Sequence, residues 1–252
     1  MLIQNLRGNY SFLKGIAPYS AGVVAMAGCE ILHVRLLPAL PLAQGFALLE
    51  RHLGAQKRPM QALCGMELRS PKPFTFEGFA EFNAGYVAVL KRWNVFLDGV
   101  NPVARTNVCP ATDPPNEPAL HAFSYTVPSG ATGPSFVIAG AGELPEGTLG
   151  PRDIVRAGEV SADAIREKAR FVLGLMDARL RGLGADWRHV TATDVYTIHD
   201  IHPLLGPEIL PHAGAAAHQG FTWHYARPPI IGIEYEMDLR GCRRELVMGT
   251  GR

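Results

Sequence analysis

The sequence lacks an excess of charge of either sign. Its 24 Lys and Arg residues stand against 23 Asp and Glu residues, which gives a formal net charge of +1 at pH 7. No basic run is present either. Nucleic acids and anionic membrane surfaces are bound through basic patches or stripes. We therefore expect neither nucleic acid nor membrane as a partner.

Long apolar runs are also missing. No stretch approaches the roughly 18 uninterrupted apolar residues of a membrane span. Residues 1–7 lack the basic and apolar segments of a secretory signal. The four cysteines are scattered, without a CxxC pair, which is typical of reduced thiols. These absences predict a cytoplasmic protein.

The histidines do not have the spacing of metal ligands. Five of the nine lie close together in the second half of the chain: His199, His202, His212, His218 and His224. Their intervals match no zinc pattern, and no cysteine joins them. We expect histidines of loops here, and no metal site.

Composition and an internal repeat predict two domains. A chain of 252 residues with 47% hydrophobic residues fits two domains of roughly 125 residues. A Leu-Gly-Ala sequence ends an apolar-periodic helix at 53–55 and again at 183–185, and a strand-like run follows each. An Ala-Arg pair lies downstream of both. This order predicts a duplicated unit, with a first domain over 1–127 and a second over 128–252.

Apolar periodicity predicts the main elements. Helices are expected at 41–53, 74–92 and 162–183, with Ser161 as the N-cap of the third. The segment 203–220, rich in Pro, Gly, Ala and His, predicts a degraded helix or a loop. Strand-like runs fill much of the remainder. The order of elements predicts an α+β fold in which each domain has a mixed sheet with two helices on one face.

Segments from both halves carry a resemblance to a known family. In the first half they are Ala17-Pro-Tyr-Ser20, Gly28, Phe79–Tyr86 and Pro102–Val108; in the second they are Phe136–Gly140, Ala226-Arg-Pro228 and Arg244-Glu-Leu246. In order and spacing they resemble the reactive intermediate deaminase family (RidA, also called YjgF-like). The resemblance implies two tandem chorismate-mutase-like domains. Because single-domain relatives form trimers, it also implies a homotrimer with sites between subunits.

The resemblance further implies a chemistry and a set of site residues. Members hydrolyse 2-imino or 2-enamino acids to keto acids and ammonia, without metal or cofactor. Arg105 matches the carboxylate-binding arginine, and a guanidinium holds a carboxylate through two parallel hydrogen bonds. The residues expected to bind substrate beside it are Tyr19, Gly28, Asn83, Asn107, Cys109, Gly140 and Arg227.

An acid or base is needed to help water add to the C=N carbon. The family often has a glutamate on its final strand for this purpose. Glu245 fits that role in the second half, whereas His121 occupies the corresponding neighbourhood in the first. Arg227 is followed by two prolines, which have no N–H to offer a ligand. Neither half is thus complete, so either sites form between chains, or one half is structural and the other has changed its substrate.

The function predicted from the sequence is hydrolytic deamination of a small carboxylate-bearing imine or enamine. An aminomuconate-like compound is one candidate, and Arg105, Glu245 and His121 are the catalytic candidates. Two alternatives remain open: a chorismatase-like or ring-opening hydrolase, and a binder of carboxylate metabolites without catalysis.

Overall fold

The computed structural model describes residues 2–145 and 151–251 of the chain. Twelve strands run through these residues: β1 (Leu2–Asn5), β2 (Tyr10–Leu13), β3 (Gly22–Ala25), β4 (Cys29–Pro41), β5 (Leu63–Arg69), β6 (Ala104–Pro110), β7 (Ala119–Pro128), β8 (Phe136–Gly142), β9 (Ala192–Thr197), β10 (Thr222–Arg227), β11 (Glu236–Gly241) and β12 (Arg244–Gly249).

Three longer helices confirm those that the periodicity predicts: α1 (Leu42–Ala55), α2 (Phe76–Arg92) and α3 (Ala162–Gly182). Thr75 caps α2 and Ser161 caps α3, because each hydroxyl oxygen accepts a hydrogen bond from the backbone N–H three residues further on. Within the described ranges, no helix has the length and apolar character needed to cross a membrane.

The segment without a clear period forms short helical turns. They are α4 (His202–Leu204), a π-helical turn (Leu205–Ile209), α5 (Leu210–Ala213) and a 3₁₀ turn (Gly214–Gln219). Pro203, Pro207 and Pro211 recur through the first three turns. Each proline removes a backbone N–H donor, so one continuous helix cannot form there.

All twelve strands belong to one sheet, in the order β1-β2-β3-β8-β11-β9-β10-β6-β5-β7-β4-β12. The prediction of two tandem RidA-type, chorismate-mutase-like domains, each with its own sheet and two helices, is therefore wrong. Strands pair across the predicted boundary in three places: β10 with β6, β3 with β8, and β12 with β4. In the second half, moreover, short turns replace the second long helix.

Four strands of each half nevertheless follow the same order within this single sheet. The sequence β4-β7-β5-β6 is matched by β8-β11-β9-β10, with the same parallel and antiparallel pairings. The last strands of these sets, β6 and β10, pair with each other through Ala226↔Pro110 and Arg227↔Cys109. The two halves therefore meet at the centre of the sheet.

The sheet curves so that β6 faces β8, although three strands separate them in the sheet order. The backbone N–H of Gly140 on β8 donates to Thr106 Oγ1 on β6 (3.0 Å), and that hydroxyl donates to Asp238 Oδ2 on β11 (2.6 Å). Helices α1 and α2 cover one half and α3 covers the other, with separate apolar clusters beneath them. This curvature brings the facing sides of β6, β8 and β11 around a common space.

Candidate active site

A cavity of about 320 Å³ lies where the two halves meet. Its wall includes the loop between β2 and β3, the start of α2, the strands β6, β8 and β11, and α3. The charged and polar side chains that line it are Lys14, Tyr19, Arg105, Asn107, Arg179 and Glu236. All of these residues lie within one chain. Trimeric assembly stays a prediction.

Arg105 is a buried cation, and the described residues offer it no hydrogen-bond partner. Its side chain, on β6, is 2% exposed, and among the described residues no acceptor pairs with Nε, Nη1 or Nη2. Four aromatic rings surround the guanidinium, with centroids 4.8–5.8 Å from Cζ: those of Tyr19, Phe79, Phe82 and Tyr86. Burial lowers the pKa of Arg105, while Tyr86, Tyr19 and Glu236 act in the opposite direction.

This arrangement leaves the donors of Arg105 available to a ligand. Cation–π contacts with aromatic rings offset part of the cost of burying the charge. They occupy none of its N–H groups, and buried donors without acceptors are costly. The fixed fork of a guanidinium matches the two oxygens of a carboxylate. A carboxylate entering the cavity would therefore find a prepared partner.

Glu236 places a buried carboxyl group in the same cavity. It is the first residue of β11 and is 4% exposed. Burial, the largest cause, raises its pKa to about 8; Glu143 adds to the effect, and Arg105 and Arg179 oppose it. Glu236 is thus mostly protonated at neutral pH, and a carboxyl group whose pKa is near the working pH can both give and take a proton.

A glycine makes room for this carboxyl group. Gly140 lies on β8 beside Glu236, and a Cβ at position 140 would collide with Glu236 Oε1. The N–H of Gly140 is held by Thr106, the neighbour of Arg105 on β6. The backbone that receives the acid is thereby linked to the strand that carries the cation.

Arg179 and Lys14 contribute two further positive charges to the cavity wall. Arg179 lies near the end of α3, is 7% exposed, and donates through Nη1 to the carbonyl oxygen of Ala139 (2.7 Å). Lys14 is exposed, in the loop after β2. Among the described residues, the cavity wall therefore carries three basic side chains and one acidic side chain.

Four of the residues predicted from the sequence line the cavity: Tyr19, Arg105, Asn107 and Gly140. Asn107 follows Arg105 by two positions, so both side chains project from one face of β6. Asn107 Oδ1 accepts a hydrogen bond from Ser70 Oγ (3.0 Å), and its Nδ2 has no partner among the described residues.

The two predicted acid or base residues lie outside the cavity lining. Glu245 is exposed on β12, a strand at the sheet edge, where it accepts from Arg240 Nε (3.2 Å). His121 is half-buried on β7. Burial, followed by the charge of Arg69, lowers its pKa to about 3. A histidine of that kind stays neutral at physiological pH and is a poor base.

The remaining predicted substrate contacts also lie elsewhere. Gly28 forms an exposed turn with φ of 79° between β3 and β4, and Asn83 is half-buried on α2. Cys109 is buried, and burial raises the pKa of its thiol to about 12. Arg227 is exposed on β10, with Nη1 4.0 Å from Glu234 Oε2. These four residues are not part of the cavity lining, and their binding roles stay predictions.

Acidic and apolar residues alternate around Glu236 in the sequence, a pattern that does not by itself indicate a site. In the run 230–237, Glu234 and Glu236 alternate with Ile233, Tyr235 and Met237. Such alternation puts both glutamates on one face of a strand. The usual inference is that this face meets solvent, whereas β11 is buried throughout. Arg179 was equally inconspicuous, since charged residues are common beside the apolar stripe of a surface helix.

A second group of buried charges lies next to this cavity. Arg240 on β11 has Nη1 3.0 Å from Glu67, 2.8 Å from Asp194 and 3.7 Å from Asp238. A space of about 10 Å³ separates it from Arg105. Among the described residues, no three His, Cys, Asp or Glu side chains are arranged to hold a metal ion. This group holds two parts of the sheet together through its ion pairs.

The guanidinium of Arg105, without a partner among the described residues, and a carboxyl group with a raised pKa share one small cavity. The comparisons with known proteins specify the family. The chain matches the model of the family 2-aminomuconate deaminase CnbZ over residues 2–246, and it belongs to that family.

One relative supports this assignment. The chain is 46% identical over 244 residues to the 2-amino-5-chloromuconate deaminase of Comamonas testosteroni, and the match covers 96% of each chain. A crystal structure of chorismatase aligns with a TM-score of 0.47 and 10% identity, covering 95% of this chain and 78% of that one. The comparisons do not show membership of the RidA family.

Proposed function

We propose that the protein is a hydrolytic deaminase that converts a 2-aminomuconate-type enamine into a keto acid and ammonia, with its own side chains and without metal or cofactor. The observation that carries this proposal is the unpaired guanidinium of Arg105 in a cavity that also holds Glu236. The family to which the chain belongs and its relative from Comamonas testosteroni supply the substrate class.

Arg105 binds the carboxylate next to the amino-bearing carbon. Two N–H groups of the guanidinium meet the two carboxylate oxygens, which fixes the plane of the substrate as well as its position. Tyr19 and Phe79 lie against the guanidinium and also line the cavity, so they limit the access of water to the ion pair. The binding energy comes from pairing a cation that the fold leaves without an acceptor.

Glu236 moves the protons. As a neutral acid it donates its proton to the enamine chain, which converts the C=C–NH₂ unit into a C=N bond. The resulting carboxylate accepts a proton from the water that adds to the C=N carbon. That proton is then transferred to nitrogen, ammonia leaves as the C=O bond forms, and the hydroxyl proton returns to Glu236. The balance is one enamine and one water consumed, and one keto acid and one ammonia released.

The charges of the site favour this order of events. Arg105 lowers the pKa of Glu236, but only partly offsets the effect of burial. A bound carboxylate neutralises part of the Arg105 charge, and so raises the pKa of Glu236 further. The acid is therefore protonated when the substrate arrives, as the first step requires.

The test is the release of ammonia from 2-aminomuconate and 2-amino-5-chloromuconate by the purified protein. Arg105→Met should lower kcat/KM by about 10²–10³-fold, because it removes a paired, charge-assisted contact. Arg227→Met is the control, since Arg227 is the arginine of the matching strand and lies outside the cavity. We expect it to be close to wild type.

Equal rates for wild type and Arg105→Met would refute the proposal. A second outcome also contradicts it: both muconates raise the melting temperature but release no ammonia. That result would favour a binder of carboxylate metabolites.

A further inference from the structure

A fully buried ion pair lies beside the acid of the cavity, and the chemistry at Arg105 and Glu236 does not use it. Glu143 directly follows β8, and Lys168 is on α3; Lys168 Nζ lies 3.0 Å from Glu143 Oε1, and both side chains are 0% exposed. We propose that Glu143 and Lys168 are positioning residues, which hold the Glu236 carboxyl group in place through the backbone at the start of β11. This inference rests on the proposed function, which gives Glu236 its role.

Glu143 binds the backbone directly in front of Glu236. Its Oε1 atom accepts a hydrogen bond from the N–H of Glu234 (2.7 Å), and its Oε2 atom accepts one from the N–H of Tyr235 (3.0 Å). Gly142, the residue before Glu143, is paired with Glu236 between β8 and β11. The carboxylate therefore ties the beginning of the strand that carries the acid to the end of the neighbouring strand.

Lys168 connects this point to α3 and to the segment before it. Its ammonium group also donates to the carbonyl oxygen of Val155 (2.8 Å), and the N–H of Val155 donates to the carbonyl oxygen of Glu143 (3.0 Å). A buried ion pair often contributes no more stability than well-packed apolar residues of the same volume. Its fixed geometry, in contrast, determines where the segments that it joins are placed. A role in holding Glu236 accounts for such a pair at this position.

The carboxyl group of Glu143 is bound as an anion. Burial raises its pKa, but the N–H of Glu234 and the charge of Lys168 oppose this effect. The described partners of its two oxygens are all donors: two backbone N–H groups and an ammonium group. A proton on Glu143 would have no acceptor among them, so these contacts favour the ionised form.

The negative charge of Glu143 also acts on Glu236. Burial is the main reason why the pKa of Glu236 is raised, and Glu143 adds to this effect. The other described titratable groups near the Glu236 carboxyl group lie on β5, β6, α3 and the loop between β2 and β3: Arg69, Arg105, Cys109, Arg179, Lys14 and Tyr19. The three arginines lower the pKa of Glu236. Glu143 therefore favours the neutral acid that the first step of the reaction requires.

The experiment measures the pH dependence of two variants. Glu143→Gln keeps the volume of the side chain and removes its charge. The double variant Glu143→Gln/Lys168→Met removes both charges, so it leaves no buried ammonium group without its partner and decides the test if the single variant does not fold. Glu208→Gln is the matched control: Glu208 is buried, accepts from Arg170 Nε on α3 (2.7 Å), and lies outside the cavity lining.

Both Glu143 variants should lower kcat for 2-aminomuconate by about 10-fold at pH 6 and keep KM within about twofold of wild type, because the acid is displaced while Arg105 still binds the carboxylate. The fall in activity expected of wild type near pH 8 should move by about 0.5–1 unit to lower pH, since a charge that favours protonated Glu236 is gone. Glu208→Gln should lower the stability in urea but leave kcat and the pH of this fall unchanged. An ion pair with a structural role alone would behave like that of Glu208.

A titration that needs no turnover separates this inference from the proposed function. The ¹³C carboxyl signal of Glu236, identified by its absence from Glu236→Gln, gives the midpoint of its titration in wild type, about 8, and in the variants. A lower midpoint in the folded Glu143 variants supports the inference. If wild type then releases no ammonia from 2-aminomuconate, the deaminase is refuted and the placement of Glu236 by Glu143 stands.

Two results overturn the inference. One is a folded Glu143 variant in which Glu236 titrates at the wild-type midpoint, whatever its rate. The other is an active wild type whose kcat at pH 6 is unchanged in the folded Glu143 variants.

Discussion

Arg105 and Arg240 are both buried on strands of the central sheet, and both border the same internal space of about 10 Å³. Their surroundings differ in every other respect. Arg240 has Glu67, Asp194 and Asp238 within 4 Å, and its pKa is raised by these carboxylates in spite of burial. Arg105 has aromatic rings and a cavity around it, and its pKa is lowered by burial.

The acids show the same contrast. Burial acts to raise the pKa of Glu67, but the charges of Arg240 and His33 outweigh it and hold this pKa well below the usual range. Burial raises the pKa of Glu236 to about 8, because Arg105 compensates only part of the penalty. The first acid is ionised and the second is mostly neutral at physiological pH.

The difference teaches how to separate structural charges from functional ones in this fold. Both groups are buried and both have perturbed pKa values, so neither property distinguishes them. What distinguishes them is whether the guanidinium has carboxylate partners among the described residues: Arg240 has them and Arg105 does not. A paired group without a cavity stabilises the sheet, and an unpaired group beside a cavity needs a ligand.

The largest expected effect comes from breaking the paired group. Arg240→Met removes the cation that contacts Glu67, Asp194 and Asp238, and we expect the free energy of unfolding to fall by about 3–5 kcal/mol. Urea unfolding of wild type and variant at pH 7 measures it. Arg105→Met, in the same assay, should leave the stability unchanged or raise it, because this cation has no partner to lose.

Lowering the pH tests the role of the ion pairs of Arg240 further. Because the folded-state pKa of Glu67 is depressed, its ion pairs contribute stability above pH 4.5, and this contribution is lost as the pH falls below that value. The deficit of Arg240→Met should therefore shrink in acid. Arg243→Met is the control: it removes a 3.9 Å pair at a half-exposed site, worth about 0–1 kcal/mol. If Arg240→Met unfolds at the same urea concentration as wild type at pH 7, the structural role of Arg240 is contradicted.

Glu236→Gln tests the unpaired group and should lower kcat by about 10²–10⁴-fold, the usual worth of an acid–base residue. Wild-type activity should fall as the pH rises through about 8, where Glu236 loses its proton. The residual activity of the Glu236→Gln variant should not show this fall with rising pH. Glu234→Gln, two residues earlier and bonded to His199, is the matched control and should keep it.

The same variant should become more stable relative to wild type as the pH rises. The pKa of Glu236 is raised from 4.5 to about 8 by folding, so wild type loses stability as the pH rises between these values. Glutamine does not ionise. The advantage of Glu236→Gln in the free energy of unfolding, measured by urea unfolding, should thus grow from pH 5 to pH 8, to on the order of a few kcal/mol at the upper end. A constant difference across this range would mean that Glu236 titrates normally.

Local elements were predictable from the sequence, and the assembly of the sheet was not. The caps at Thr75 and Ser161 and the apolar stripes are local signals, and α1, α2 and α3 appear close to their predicted limits. The pairing of β10 with β6 involves two residue pairs from strands more than a hundred positions apart. Such pairings leave no mark in local periodicity, so a single sheet could not be distinguished from two.

Only the site residues from the first half of the chain were predictable from the sequence. Arg105 and Asn107 share a strand with a recognisable motif, and alternation puts them on one face. Glu236 and Arg179 come from the other half. Their relevance depends on the curvature that brings β8 and β11 against β6, and this curvature is a property of the whole sheet.

The smallest expected effect is that of Glu245→Gln. Glu245 is exposed on the edge strand β12 and pairs with Arg240 at 3.2 Å, so its loss should change the free energy of unfolding by less than about 1 kcal/mol. Because it lies outside the cavity, kcat/KM should stay within about twofold of wild type. The deaminase assay and urea unfolding at pH 7 measure both. A tenfold fall in kcat/KM with unchanged unfolding would mean that β12 reaches the site of a neighbouring subunit. The comparison between paired and unpaired charges would then have to include residues contributed by that neighbour.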